Sequence, residues 1–176
     1  MLMMNKEAEE KGILEAARMI CIAARTAPKG RGKDLLVSAI LTGEEKDALQ
    51  RKMVEIAERD SISFFARDAG NLEQSPVLVL LGTRKEAMGL PHCGFCGFAD
   101  CATMVKAGGT CSFNSGDLGI AVGSAVSRAA DMRIDNRIMY SAGKAAVEMK
   151  LLGPEVAIAY GIPLSVSGKS PFFDRK

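Results

Sequence analysis

The sequence predicts an α+β fold, a three-layer-like mixed sheet packed by helices, with a cysteine-rich segment inserted at about residues 91–114. Three observations lead there. Apolar residues recur at helical spacing early in the chain, one unbroken aliphatic run marks a strand covered on both faces, and helices interleave with three strands without a clear parallel repeat. With 176 residues, 48% of them apolar, the chain can bury a sizeable core and is read as one domain, 1–176.

The first helix is predicted from about Lys6 to Ala24, where Ile13, Leu14, Ala17, Ile20 and Ala24 form an apolar stripe with Cys21 beside it. It ends at the loop Thr26 to Lys33. Leu35 to Leu41 is too short an apolar run for a typical helix and reads as a strand, stopped by Thr42-Gly-Glu-Glu45, which has the form of a capping box. The helix that follows carries Leu49, Met53 and Ile56 on one face and is expected to reach about Arg59. Pro76 to Gly82 is the strongest strand.

Beyond the cysteine segment, Cys101 to Ala107 reads as a short helix ended by Gly108-Gly109. Asp117 to about Met132 is a helix of small and apolar residues, suited to close packing inside the fold or against a partner subunit. A last helix over Ile138 to Leu152 precedes a third strand, Glu155 to Tyr160, which enters Gly161-Ile-Pro163.

Composition narrows the partners. Lys and Arg total 23 against 21 acidic residues, and a net charge of +2 argues for neither nucleic acid nor an anionic membrane surface. No apolar run has the length of a membrane span, and the N-terminal stretch is too acidic for a secretory signal, so a cytoplasmic location is expected. In a reducing compartment the five cysteines read as metal ligands plus one spare thiol, Cys21, rather than as a disulfide frame.

The chemistry is concentrated in Cys93-Gly-Phe-Cys96-Gly-Phe-Ala-Asp-Cys101 and in Cys111. Soft thiolates select zinc or iron–sulfur centres over hard cations. Four-cysteine zinc sites usually pair two C-x2-C knuckles, whereas one such knuckle here is followed by single cysteines, a spacing that favours iron. Gly94 and Gly97 let the backbone wrap a bulky core, and Phe95 and Phe98 are placed to shield it from water. Structural zinc and free or oxidised thiols stay open as alternatives. His92 is assigned to the surroundings of the centre, because four cysteines already complete a ligand set.

A second candidate site is the loop Lys29, Gly30, Arg31, Gly32, Lys33, where glycines allow close approach of a phosphate and cations neutralise it; the alternative is a solvated basic turn. Gly168-Lys169-Ser170 lacks the leading glycine of a P-loop, no G-x-G-x-x-G follows a strand, and a hydrolytic triad is not supported because the only histidine, His92, lies against the cysteine segment. Arg133-Ile-Asp135-Asn136-Arg137 reads as a cap and ion-pair cluster, with a functional role as its alternative. No residue is singled out as catalytic.

The order Cys93, Cys96, Cys101, Cys111 resembles the small 4Fe-4S domain of corrinoid and carbon-monoxide-dehydrogenase-type proteins. Ala23 to Pro28 closing the first helix, the strand at Val77, the helix at Asp117 and the ending Tyr160-Gly-Ile-Pro163 together resemble the flavin-dependent nitroreductases. That likeness implies FMN near the Ala-Pro loop and a homodimer built on the central helix. Over nearly its whole length the chain is similar to an uncharacterised family of "ferredoxin domain-containing" proteins, with Asp117 to Ser124, the triplet Asp135-Asn136-Arg137 and Gly161 to Ser165 through Lys169 as matching stretches. The resemblances imply an iron–sulfur redox protein. Two versions of it are an oxidoreductase passing electrons from the cluster to a flavin, and a carrier or redox and iron sensor without a substrate. The expected partners are a redox protein or a small-molecule acceptor, and a second copy of the chain; a zinc-binding module is the remaining reading.

Overall fold

The aliphatic run after Pro76 lies at the middle of the molecule, with a helical layer on each side. The computed structural model describes residues 2–173; Met1 and residues 174–176, the ends of the expected domain, lie outside the described residues. In chain order the elements are α1 (Asn5–Thr26), a 3-10 turn (Gly30–Gly32), β1 (Leu36–Leu41), α2 (Gly43–Asp60), α3 (Ser63–Glu73), β2 (Val77–Arg84), α4 (Cys101–Lys106), α5 (Ser112–Asp131), β3 (Asp135–Asn136), α6 (Tyr140–Glu148) and β4 (Val156–Ser165). The strands pair in the order β1-β2-β4-β3.

Period-two alternation on β2 sorts the two layers. Val77, Val79 and Leu81 face α1 and α5, joining Ile13, Ile20, Leu118, Ala121 and Ala125. Leu78 and Leu80 face the other way, against Leu49, Met53, Phe65 and Leu72 of α2 and α3 and Ala142 and Ala146 of α6. A strand sandwiched in this manner reads as a continuous apolar run because neither face meets water. The α+β class and the helix–sheet–helix layering are therefore as expected from the sequence.

The sheet is antiparallel in every pairing, where a mixed sheet was expected. Two helices, α2 and α3, connect β1 to β2, whereas a parallel neighbour is normally reached by a single crossover helix. The sequence reading passed over α3. Its Phe65, Ala69 and Leu72 do lie at helical spacing and are buried, but Asp68, Gly70 and Asn71 interrupt the pattern, and no side chain caps its start.

Other boundaries moved for local reasons. Thr42 does occupy the N-cap of α2, yet its side chain makes no capping bond. The helix expected from Asp117 starts at Ser112, because Asn114 turns inward and is 1% exposed despite its polarity. Residue 139 leaves the last helix: Met139 exchanges backbone hydrogen bonds with Gly161, its N–H donating to the Gly161 carbonyl at 2.7 Å and its carbonyl accepting the Gly161 N–H at 3.0 Å. The third strand runs on through Pro163 to Ser165, since Ile162 and Leu164 belong to the core under α1 and α5. Within the polar run 133–137, Asp135 and Asn136 form β3, while Arg137 donates to the Phe172 carbonyl at 3.3 Å and lies 4.0 Å from Asp68.

Gly143 sets how closely α6 approaches β4. A Cβ added there would stand 1.9 Å from the Ala159 carbonyl oxygen and 2.7 Å from the Tyr160 Cα, backbone atoms that cannot turn aside. Gly143→Ala is therefore expected to lower unfolding stability by about 3 kcal/mol, the upper part of the usual overpacking range. A urea unfolding midpoint equal to that of the unsubstituted protein would contradict this contact.

Candidate metal centre

The segment between β2 and α5 has its own small apolar cluster, Met88, Met104 and Cys111, with Leu90, Cys96, Phe98 and Phe113 packed against it. It is separate from the two clusters that sandwich the sheet. Backbone turns give the segment its course: His92, Gly94, Gly97 and Gly108 all have positive φ (54°, 66°, 82° and 71°), and the Gly97 N–H donates to the Gly94 carbonyl at 2.9 Å. Gly94 and Gly97 thus serve the tight wrapping for which glycine is suited.

Two helix starts present two of the thiols. Asp100 is the N-cap of α4, accepting the Thr103 N–H at 2.7 Å, which places Cys101 at the first helical position. The backbone N–H of Thr103 and the other hydrogen bonds it accepts hold the Asp100 carboxyl below its usual pKa. Cys111 is the N-cap of α5 and is 5% exposed. Its position depends on Gly109, whose missing Cβ leaves room for the Phe98 ring and the Met104 side chain, each 3.0 Å from where that atom would be.

All four predicted cysteines, Cys93, Cys96, Cys101 and Cys111, line one cavity of about 100 Å³, together with Met88, His92, Phe98 and Met104. None of them is in a disulfide. Among the described residues no three His, Cys, Asp or Glu side chains close on a point tightly enough to hold one ion. Cys21 is apart from this cavity, on α1 against the core under the sheet, where burial raises its thiol pKa. Phe98 packs into the cysteine cluster, and Phe95 also lines the cavity but is 77% exposed and stacks on Phe113 with ring centroids 5.8 Å apart.

The basic glycine loop is engaged within the protein. Lys29 turns back on the end of α1, donating to the carbonyls of Ala24 (3.0 Å), Ala27 (2.8 Å) and Arg25, and burial holds its pKa below the usual lysine value. The Gly30 N–H donates to the Asp117 carboxylate at 3.0 and 3.1 Å, Arg31 donates to the Met88 carbonyl at 3.0 Å, and Lys33 pairs with Glu86. The Gly30 N–H, one of the groups expected to meet a phosphate, is thus bound by a carboxylate in this structure. What the sequence reading missed is this link between the loop and the cysteine segment, for which no short motif gives a signal; Asn114, buried with its Nδ2 lacking a partner, belongs to the same junction.

Fold and cavity together define an α+β protein of helix–sheet–helix layers in which four cysteines line one cavity. A family model described as "Uncharacterized protein containing a ferredoxin domain" matches residues 107–175, from the turn before Cys111 to the end of the chain. An "Uncharacterized protein" of Archaeoglobus fulgidus is 38% identical over 183 residues, 99% of this chain and 98% of its own length. The chain belongs to this family of proteins containing a ferredoxin domain. Among solved structures, the FMN-dependent nitroreductase NfnB from Mycobacterium smegmatis in complex with NADPH superposes with a TM-score of 0.62 at 12% identity, covering 90% of this chain and 81% of that one. A nitroreductase with bound FMN from Desulfitobacterium hafniense gives 0.59 at 14% identity, covering 88% and 78%. At such identities the likeness is one of fold.

Gly109→Ala is expected to push Phe98 and Met104 away from Cys111, at a cost of about 1–2 kcal/mol. Mass-spectrometric maleimide labelling should then reach Cys111 faster than in the parent protein. Unchanged labelling would mean that the glycine does not govern this packing.

Proposed function

We propose that the protein is an iron–sulfur redox protein in which Cys93, Cys96, Cys101 and Cys111 hold a 4Fe-4S cluster. The observation that carries this reading is that all four thiols, unpaired, line a single cavity. A tetrahedral zinc with Zn–S of about 2.3 Å would draw its sulfurs to roughly 3.8 Å of one another. Four cysteines spread round a cavity of about 100 Å³, several times the roughly 10–15 Å³ that admits one water, suit a polyatomic centre with one thiolate per iron. When bound, such a cluster supplies one-electron transfer.

The chain's own residues fit that use. Met88, Met104 and Phe98 form the apolar side of the cavity and keep water from it, which raises the influence of nearby dipoles on a charged centre. Phe95 and Val105, 77% and 59% exposed, offer apolar contact to a redox partner on the outer surface of the segment. A one-electron carrier or sensor needs no more than this.

A second reading adds a flavin, and the FMN-dependent and FMN-bound nitroreductases among the structural neighbours favour it. In that version the protein passes electrons from cluster to FMN and on to a small molecule. Lys29, Arg31 and Lys33 would grip the flavin phosphate only after giving up their present partners. We also infer a homodimer: on α5, Gly116, Gly119 and Gly123 have open space where a Cβ would stand, and Ile120 beside them is 49% exposed. Sedimentation equilibrium yielding only monomer would exclude it. No helix among the described residues is long and apolar enough to cross a membrane, and a cytoplasmic location is inferred from the thiol chemistry.

The test is an ultraviolet–visible spectrum of anaerobically purified protein before and after dithionite. Broad brown absorption that bleaches is expected for the cluster, and structured bands beneath it would add the flavin; colourless protein with stoichiometric zinc would overturn the reading. Cys96→Ser should lose its iron because a hydroxyl is a poor substitute for thiolate. Cys21→Ser should retain a full complement, and loss of iron there would bring α1 into the site.

A further inference from the structure

We infer that Arg31 is a positioning residue for the cysteine cavity, and that the glycine loop is a strap holding the cysteine segment to the sheet domain. The function given to the cavity rests on the cluster reading above; the strap itself does not. The cysteine segment shares no apolar cluster with the layers of the sheet, so its placement depends on polar ties at its base. Two of these come from the loop: Arg31 donates to the Met88 carbonyl at 3.0 Å and Lys33 pairs with Glu86, while the Gly30 N–H, bound by Asp117 in the second turn of α5, fixes the loop to the sheet layer.

Packing carries the tie further into the cavity. A Cβ on Gly30 would stand 3.1 Å from the Phe113 ring and 3.4 Å from the Met88 methyl, so loop and segment are in direct contact. Phe113 in turn stacks on Phe95, the residue before Cys96, and Met88 lines the cavity beside all four thiols.

A second observation singles out Arg31. It stands between two glycines yet itself takes the left-handed conformation, φ 55° and ψ 14°. Glycine would adopt it without a steric penalty, whereas a residue with a Cβ is disfavoured there. Backbone strain of this kind persists where surrounding contacts over-determine it, and the contact made here is the guanidinium on Met88. The arginine therefore serves the segment at the expense of its own turn.

The test uses Arg31→Gly in the full chain, which relieves the strain and removes the tether. Three quantities are compared with the parent: the thermal midpoint of the metal-free protein, amide hydrogen exchange over residues 86–104, and iron release to a chelator from the loaded protein. The strap predicts a midpoint no lower than the parent's, faster exchange over the segment, and iron release roughly tenfold faster, the low end of the effect of groups that orient metal ligands. Unchanged exchange over 86–104 would overturn the proposal whatever the metal content. Parent protein that takes up no iron, with exchange still faster in the variant, would defeat the cluster reading and leave the strap standing.

Discussion

Burial of β2 on both faces is the constraint on which the other elements depend. Val77 is 3% exposed and Leu78 to Leu81 are fully buried, and each such side chain contributes on the order of 1.5–3 kcal/mol when removed from water. That gain requires two covering layers. It is why α1 and α5 stack on one side and α2, α3 and α6 on the other, and why β1 and β4 take the two edges of β2. Glycines admit the close approaches: Gly82 of β2 meets Val156 and Leu152, Gly143 meets the backbone of β4, and Gly161 meets the Ala142 methyl.

The cysteine segment starts where this sandwich ends. The last residues of β2 lead into it, the Lys85 N–H donating to the Glu155 carbonyl at 2.9 Å and the Lys85 ammonium to the Gly108 carbonyl. It returns to the sandwich through Cys111 at the head of α5. A rigid sheet with both ends of the segment rooted in it can hold thiols in place without a large core of their own, the arrangement expected when reactive groups are carried on loops. The glycine loop after α1 meets the segment from a third side, where Arg31 donates to the Met88 carbonyl and Lys33 pairs with Glu86.

The fold neighbours and the family direct attention to different chemistry. The nitroreductase structures share the layered architecture at 12–14% identity, and architecture alone does not transfer a cofactor. The relative at 38% identity spans nearly the whole chain, and the ferredoxin-domain family model matches residues 107–175. Chemistry resides in the site, and here the site is a group of thiols inserted between a strand and a helix of a scaffold whose structural neighbours include flavin enzymes.

The sequence by itself determined the class of fold, the central strand, the helix stripes at Ile13–Ala24 and Leu49–Ile56, and the grouping of the four cysteines that line one cavity, because each rests on local periodicity or on close spacing. It also separated Cys21 from the others. Tertiary structure decided the antiparallel pairing, the existence of α3, the inward turn of Asn114 that starts α5 at Ser112, and the two-residue β3. These depend on contacts between residues far apart in the chain, which no local pattern records. The partners of Lys29, Arg31 and Lys33 are the clearest instance: a cation in a sequence is equally ready for a phosphate, a carboxylate or a carbonyl, and only the folded chain brings Met88, Glu86 and Asp117 within reach.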